Sequence, residues 1–110
     1  MARLDFYVSF KLYIMLKLSE DQVLMGRGQD CDIVLCDNRV SRTHALIRKT
    51  GEGHQLEDRS TNGTRVNDAL VTGEKQLVPG DRIYIEDYIL IYQGDDAKPV
   101  DLAETRTVVE

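Results

Sequence analysis

The stretch Lys11-Leu-Tyr-Ile-Met-Leu-Lys-Leu18 decides the fold class, because apolar residues recur in it at every second position. Leu12, Ile14, Leu16 and Leu18 alternate with a second set that contains two lysines. A period of two is typical of a β-strand with one face buried, so these four side chains are predicted to lie in the core. No window of a dozen residues sustains the stripe of an amphipathic helix.

Shorter apolar runs continue this pattern along the chain, at 23–25, 33–36, 44–47, 64–67, 82–85 and 88–92. Turn signals separate them, among them Asn62-Gly63 and Pro79-Gly-Asp81. Breaks of this kind every 8–12 residues indicate many short strands, and therefore an all-β sandwich or barrel. The tyrosines at 84, 88 and 92 are expected to serve core or edge packing.

Length and composition predict one folded domain with an acidic tail. The chain has 110 residues, of which 42% are hydrophobic, enough for a single core. The apolar pattern stops after Gln93, and residues 94–110 carry five acidic and two basic side chains. We therefore expect a domain over residues 1–93 and a flexible tail over residues 94–110.

Several classes of partner are disfavoured. The net charge is −5, whereas a protein that grips nucleic acid through its phosphates shows a basic surface. The apolar stretch from Phe6 to Leu18 is interrupted by Ser9, Lys11 and Lys17, and it is too short to span a membrane. It also lacks the cleavage site of a signal peptide.

The two cysteines, Cys31 and Cys36, lie five positions apart, so on a strand they would point to opposite faces and form no mutual disulfide. Free thiols suit a reducing compartment, so a cytoplasmic location is expected. Together with His44 and His54 they match no usual zinc spacing, and thiol packing in the core is the preferred interpretation. No metal and no cofactor are predicted.

Three turns carry the residues that could bind a ligand. They are Gly26-Arg27, the segment 38–44 and Ser60-Thr-Asn-Gly-Thr64. Turns gather at the two ends of a sandwich, so residues from separate turns can converge there. The side chains that these turns offer are Arg27, Arg39, Ser41, Arg42, Thr61 and Asn62.

This set of guanidinium, hydroxyl and amide groups suits a phosphate monoester, which is dianionic and presents three strong acceptor oxygens. Ser41 and His44 are spaced so that they lie on nearly opposite sides, and no aspartate is arranged to orient the imidazole. The set would therefore bind a phosphate rather than act as an enzyme.

The combination of Gly26-Arg27, Ser41-x-x-His44 and Ser60-Thr-Asn-Gly-Thr64 resembles the forkhead-associated (FHA) domain over roughly residues 11–93. The resemblance implies an antiparallel β-sandwich of about eleven short strands. It also implies recognition of phosphothreonine peptides through loops at one end, in signalling by a Ser/Thr protein kinase. Asp68 departs from the family pattern, which often has glycine after Val66-Asn67.

Carried over by position, Arg27 and Ser41 would contact the phosphate directly, with further contacts from Arg42 and Thr61. Asn62 would hold the peptide main chain. The remaining family positions are Arg39, which would read the third residue after the phosphothreonine and favour an acid, and Gly26, His44 and Gly63, which would support the loops.

The tail contains two threonines, Thr105 and Thr107, that a Ser/Thr kinase could phosphorylate for capture by such a site. Glu110 follows Thr107 by three residues. The fourteen residues from Gln93 to Thr107 could extend to roughly 45–50 Å, against about 30 Å for the domain. Capture within one chain and capture by a neighbouring molecule therefore both stay open. A different class of function, phosphate-independent interaction or oligomerisation through the sheet faces, is the alternative.

Overall fold

The computed structural model describes residues 2–51 and 53–102. These residues form eleven β-strands, so the all-β prediction is confirmed. In chain order the strands are β1 (Ala2–Val8), β2 (Lys11–Lys17), β3 (Gln22–Gly26), β4 (Ile33–Val34), β5 (Ala45–Thr50), β6 (Gly53–Asp58), β7 (Arg65–Val66), β8 (Ala69–Leu70), β9 (Glu74–Gln76), β10 (Arg82–Ile85) and β11 (Tyr88–Gly94).

The strands form the two sheets of a sandwich. One sheet has the order β2-β1-β11-β10-β7-β8, and the other has the order β4-β3-β5-β6-β9. Every pair of neighbouring strands is antiparallel except β3 with β4, which is parallel. The first strand pairs with the last, from Ala2 opposite Gly94 to Tyr7 opposite Ile89. A long-range pairing therefore lies inside the six-stranded sheet.

The core lies between the sheets because alternate residues of each strand point inward. Fully buried examples are Leu4, Met25, Ile47, Leu56, Ile83 and Leu90. Tyr92 also belongs to this core, and the ring of Tyr88 packs 5.7 Å from that of Phe6. Packing is thus the role that the structure gives to these two tyrosines.

The prediction that β2 buries one face is wrong. Leu12 is 39% exposed and Ile14 is 45% exposed, whereas Leu18, just beyond the strand, is buried. The reason is the position of β2 in the sheet, because β1 pairs with β11 on one side and with β2 on the other, which leaves β2 at the edge. The hairpin turn that joins β1 to β2 contains Ser9 and Phe10, both of which have positive φ angles.

The cysteines differ in burial. Both are free thiols, and Cys31 is buried whereas Cys36 is exposed. The Cys31 Sγ donates a hydrogen bond of 3.2 Å to the carbonyl of Arg42. Core packing was therefore the right interpretation for Cys31 and the wrong one for Cys36, which lies beyond the short strand β4. No helix within residues 2–51 and 53–102 has the length and apolar character that a membrane crossing needs.

The outer face of β1 holds a buried ion pair. The Arg3 guanidinium donates from Nε and Nη2 to the two carboxylate oxygens of Asp5, at 2.6 and 2.9 Å. The same guanidinium donates to the carbonyls of Gly94, Asp95 and Ala97. Residues 95–97 therefore lie against β1.

The same segment continues along β1. The Tyr7 hydroxyl donates to the Val100 carbonyl at 2.6 Å, and Leu102 is buried against Tyr7 and Ile91. The division of the chain at residue 93 stays a prediction. Residues 103–110, which include Thr105 and Thr107, lie outside the described residues.

Replacement of Asp5 by Asn is expected to lower the free energy of unfolding by about 3 kcal/mol, because it leaves the Arg3 charge buried without its counter-ion. Urea denaturation measures this change. The matched control is Arg48→Gln, which removes an exposed pair with Glu57 and is expected to cost less than about 1 kcal/mol. Equal effects of the two substitutions would contradict the assignment.

His54 provides a pH-dependent contribution to stability. The ring is buried and its Nδ1 lies 2.9 Å from the Tyr92 hydroxyl. Burial, with a smaller contribution from Lys49, lowers the pKa of His54 from its usual 6.5. Between that value and the lower folded value, the unfolded chain binds more protons than the folded protein. Stability therefore falls as the pH drops below about 6.5.

The expected result is a smaller loss of stability between pH 7 and pH 5 in His54→Gln than in the parent protein. Urea denaturation at each pH provides the measurement. Parallel curves for the two proteins would show that His54 does not carry this dependence.

Candidate functional site

The site begins at Gly26, where the end of β3 runs against residues 41–44. A β-carbon at Gly26 would lie 2.2 Å from the carbonyl oxygen of Arg42 and 2.9 Å from the backbone nitrogen of His44. Real β-carbons essentially never approach this closely. Glycine is therefore required here by the close passage of two backbones.

Backbone hydrogen bonds hold the two segments at this distance. Arg27 N–H donates to the Ser41 carbonyl at 2.9 Å, and Gly28 N–H donates to the Arg42 carbonyl at 3.0 Å. His44 N–H donates to the Met25 carbonyl at 2.8 Å. The turn after β3 and the loop before β5 consequently form one rigid unit that places Arg27 beside Ser41.

His44 joins this unit to the third turn. Its side chain is fully buried, and Nδ1 accepts a hydrogen bond of 3.1 Å from the backbone N–H of Ser41. The other ring nitrogen, Nε2, therefore carries the proton and donates it to the Gly63 carbonyl at 2.9 Å. The ring spans the two loops, and both of its nitrogens bond backbone groups rather than the Ser41 hydroxyl.

Asp58 organises the third turn from within. Its Oδ1 accepts hydrogen bonds from the Ser60 hydroxyl at 2.7 Å and from the Thr64 hydroxyl at 2.8 Å. The Ser60 Oγ in turn accepts from the backbone N–H of Gly63, which has a φ of 101°. The hydroxyl residues of the Ser60–Thr64 motif thus shape the turn, and Thr61 and Asn62 are left at its exposed tip.

The three turns converge on one open cavity of about 340 Å³. The structure brings together all six side chains that the sequence singled out, and it adds Asn38 and Val40. The cavity is lined by Arg27, Asn38, Arg39, Val40, Ser41, Arg42, Thr61 and Asn62.

Hydrogen bonds between the turns fix the polar groups of this cavity. The Ser41 Oγ accepts from the Thr61 N–H at 3.0 Å, which leaves its hydroxyl proton able to point at a ligand. The Asn62 amide donates to the Arg39 carbonyl at 2.8 Å, so its oxygen can accept from a bound main chain. The Arg27 Nε donates to the Val40 carbonyl at 2.9 Å, and the exposed Arg27 side chain lines the cavity.

Arg39 has a different environment. It forms ion pairs with Asp37 at 2.7 Å, with Asp87 at 2.8 Å and with Glu86 at 3.5 Å. The hydrogen bonds from Arg39 lower the pKa of Asp37 to about 2. The positive charge of Arg39 is therefore offset locally, and the β10–β11 turn is tied to the cavity rim.

Sequence reasoning missed these acidic partners of Arg39. Glu86 and Asp87 are remote in sequence, and nothing in their local pattern shows that the turn between β10 and β11 meets the loop that carries Arg39. The role of Asp58 was also missed. An aspartate directly before a hydroxyl-rich turn is the local signal that could have identified its role.

This arrangement can bind an anion and contains no assembled nucleophile. Two cationic side chains, Arg27 and Arg42, stand beside the Ser41 hydroxyl and the Thr61 side chain. His44 accepts from the Ser41 backbone rather than from its hydroxyl, so it is not placed to remove the hydroxyl proton. Within the described residues, no group of three or more His, Cys, Asp and Glu side chains could hold a metal ion.

Comparison with known proteins identifies a family. The profile of the FHA domain matches residues 23–86. The FHA domain-containing protein FhaA of Mycobacterium tuberculosis (strain ATCC 25618 / H37Rv) is 48% identical over 68 residues, which cover 61% of this chain and 13% of that protein. The chain thus spans about an eighth of the length of that curated relative.

Solved structures agree with the profile. The FhaA FHA domain, complexed with the intracellular domain of Rv3910, matches with a TM-score of 0.74 and 37% identity over 84% of this chain and all of that one. A second structure, from a structural and functional analysis of phosphothreonine-dependent FHA domain interactions, matches with a TM-score of 0.73 and 36% identity, covering 90% of this chain and 98% of that one.

Gly26→Ala is expected to push residues 41–44 away from β3 and to lower the free energy of unfolding by about 2 kcal/mol, as overpacking against backbone does. Urea denaturation measures the loss. Amide chemical shifts of residues 41–44 are expected to move in the same variant.

Gly51→Ala is the control, because a β-carbon at that exposed position meets nothing within 4 Å. If the Gly26 variant is as stable as the Gly51 variant, the close backbone passage is not the constraint that we describe.

Proposed function

Because this chain belongs to the forkhead-associated (FHA) domain family, we propose that it is a non-catalytic module that binds phosphothreonine-containing proteins. The observation that carries the proposal is the convergence of Arg27, Ser41 and Asn62 from three separate turns on one cavity. We assign the module to Ser/Thr kinase signalling in the cytoplasm, with a phosphorylated protein and its kinase as partners.

The proposed phosphate contacts come from both charge and hydrogen bonding. The guanidinium of Arg27 donates to the phosphate oxygens, the Ser41 hydroxyl donates a further bond, and Arg42 and Thr61 complete the shell. Hydrogen bonds to charged groups contribute roughly 1.5–3 kcal/mol each. After the costs of association, a few of them give micromolar binding.

Asn62 gives the bound peptide its direction. It lies between the phosphate cavity and a neighbouring groove of about 230 Å³, whose lining includes Leu70 and Tyr84. A main chain that passes Asn62 would enter this groove. The sequence predicts that Arg39 favours an acidic residue three positions after the phosphothreonine. This preference has less support in the structure, because Arg39 already pairs with three carboxylates of the protein itself.

The tail threonines Thr105 and Thr107 are proposed as phosphorylation sites whose products the cavity captures. While Leu102 stays packed on β1, only five residues link it to Thr107, a reach of roughly 17 Å. The cavity that captures the phosphothreonine belongs either to the same molecule or to its neighbour. Binding that strengthens with protein concentration would identify the second case.

Titration calorimetry with a peptide of residues 103–110 phosphorylated on Thr107 tests the function directly. We expect micromolar affinity for the phosphorylated peptide, and no measurable binding of its unphosphorylated form. Arg27→Ala is expected to weaken binding by at least about thirtyfold, as the loss of one charged contact implies, and to lower the free energy of unfolding by no more than about 1 kcal/mol through its lost hydrogen bond to Val40.

The control is Arg48→Ala, an exposed arginine of β5 outside the cavity, which should leave the affinity unchanged. Two further probes are a peptide phosphorylated on Thr105 and a library of phosphothreonine peptides. If one of them binds where the Thr107 peptide does not, the choice of peptide was wrong and the proposed function stands. Equal affinity for phosphorylated and unphosphorylated library members would instead favour a phosphate-independent module that uses the sheet faces.

A further inference from the structure

Strand β2 exposes apolar residues at the edge of the six-stranded sheet. Leu12, Tyr13, Ile14 and Met15 are 39, 73, 45 and 45% exposed. Single apolar residues on a surface are ordinary, but four in succession on an edge strand form a template for another segment. Within residues 2–51 and 53–102, no strand pairs with the outer edge of β2.

The chain itself arrives beside this edge. Arg3 and Tyr7 hold residues 94–100 against the outer face of the sheet. Leu102 then lines a groove with Lys11 and Leu12, the first residues of β2. Leu102, the last described residue, therefore lies next to the beginning of the apolar edge.

The charges of the tail match those of the strand. Lys11 and Lys17 stand at the two ends of β2, six residues apart. Glu104 and Glu110 stand six residues apart in the tail. Extended segments of this length each span about 20 Å. The Lys17 ammonium also lies 4.0 Å from Asp95. This contact is long, so Lys17 can pair with a second carboxylate.

We propose that residues 103–110 dock along the edge of β2 and run parallel to it, with Glu104 beside Lys11 and Glu110 beside Lys17. In this register Val108 and Val109 fall beside the second half of the strand, where they cover Met15. Main-chain hydrogen bonds satisfy the open edge. The short tether from Leu102 supplies a high effective concentration, so weak contacts suffice.

A second copy of the chain fits the same edge less well. A two-fold axis at Ile14 would pair two β2 strands antiparallel and set Lys11 of each against Lys17 of the other. Like charges directly opposite each other destabilise a strand pair. The tail carries the opposite charge at both ends, so it is the occupant that the surface favours.

Hydrogen exchange of the β2 amides in the unphosphorylated full chain tests this docking. We expect the double substitution Glu104→Lys and Glu110→Lys to speed exchange in residues 12–16 about fivefold, the effect of two surface ion pairs. Adding Lys11→Glu and Lys17→Glu is expected to restore the protection. Nuclear Overhauser contacts between residues 104–110 and β2 should accompany it.

The control reverses two exposed acids outside the tail, Glu20→Lys and Asp68→Lys, and is expected to leave exchange in β2 unchanged. Exchange that ignores the tail charges, or protection that appears only at high protein concentration, overturns the proposal; the second result would point to a second copy. Because no phosphate is involved, failure here leaves the phosphopeptide function untouched, and failure of phosphopeptide binding leaves this docking untouched.

Discussion

The backbone of β3 passes residues 41–44 at a separation that only glycine tolerates, and the binding end of the sandwich depends on this passage. Three backbone hydrogen bonds join the two segments, and Gly26 leaves room for the carbonyl of Arg42 between them. Arg27 directly follows Gly26, so its guanidinium emerges beside Ser41. The side chains that line the cavity thus inherit their positions from main-chain contacts rather than from contacts among themselves.

The same end shows how an acidic protein can present a small cationic surface. Arg39 is surrounded by three carboxylates. Among the described residues, neither Arg27 nor Arg42 is engaged in an ion pair. Two unpaired guanidinium groups can attract a compact dianion, whereas the net charge of −5 disfavours an extended polyanion. In the proposed function, selectivity would come from the hydroxyl and amide groups that the turns hold in place.

Much of this architecture could be predicted from local patterns, because strand periodicity and turn residues act over a few positions. The alternation in 11–18 correctly identified a strand, yet it misjudged burial, since the sheet position of β2 depends on where β1 pairs. Convergence of the three turns followed from sandwich geometry. The ion pairs of Arg39 and the packing of Leu102 on Tyr7 could not be predicted, because both join residues that are far apart in the sequence.

The pairing of β1 with β11 also bears on how the protein is made. The edge of β1 that pairs with β11 has no partner until β11, some eighty residues later in the chain, has left the ribosome. During translation the apolar residues of the β1–β2 hairpin therefore stay exposed to water in the nascent chain. Such long-range closure slows folding and lengthens this exposure. Chaperones that shield emerging polypeptides would therefore find this hairpin as a substrate until β11 has emerged.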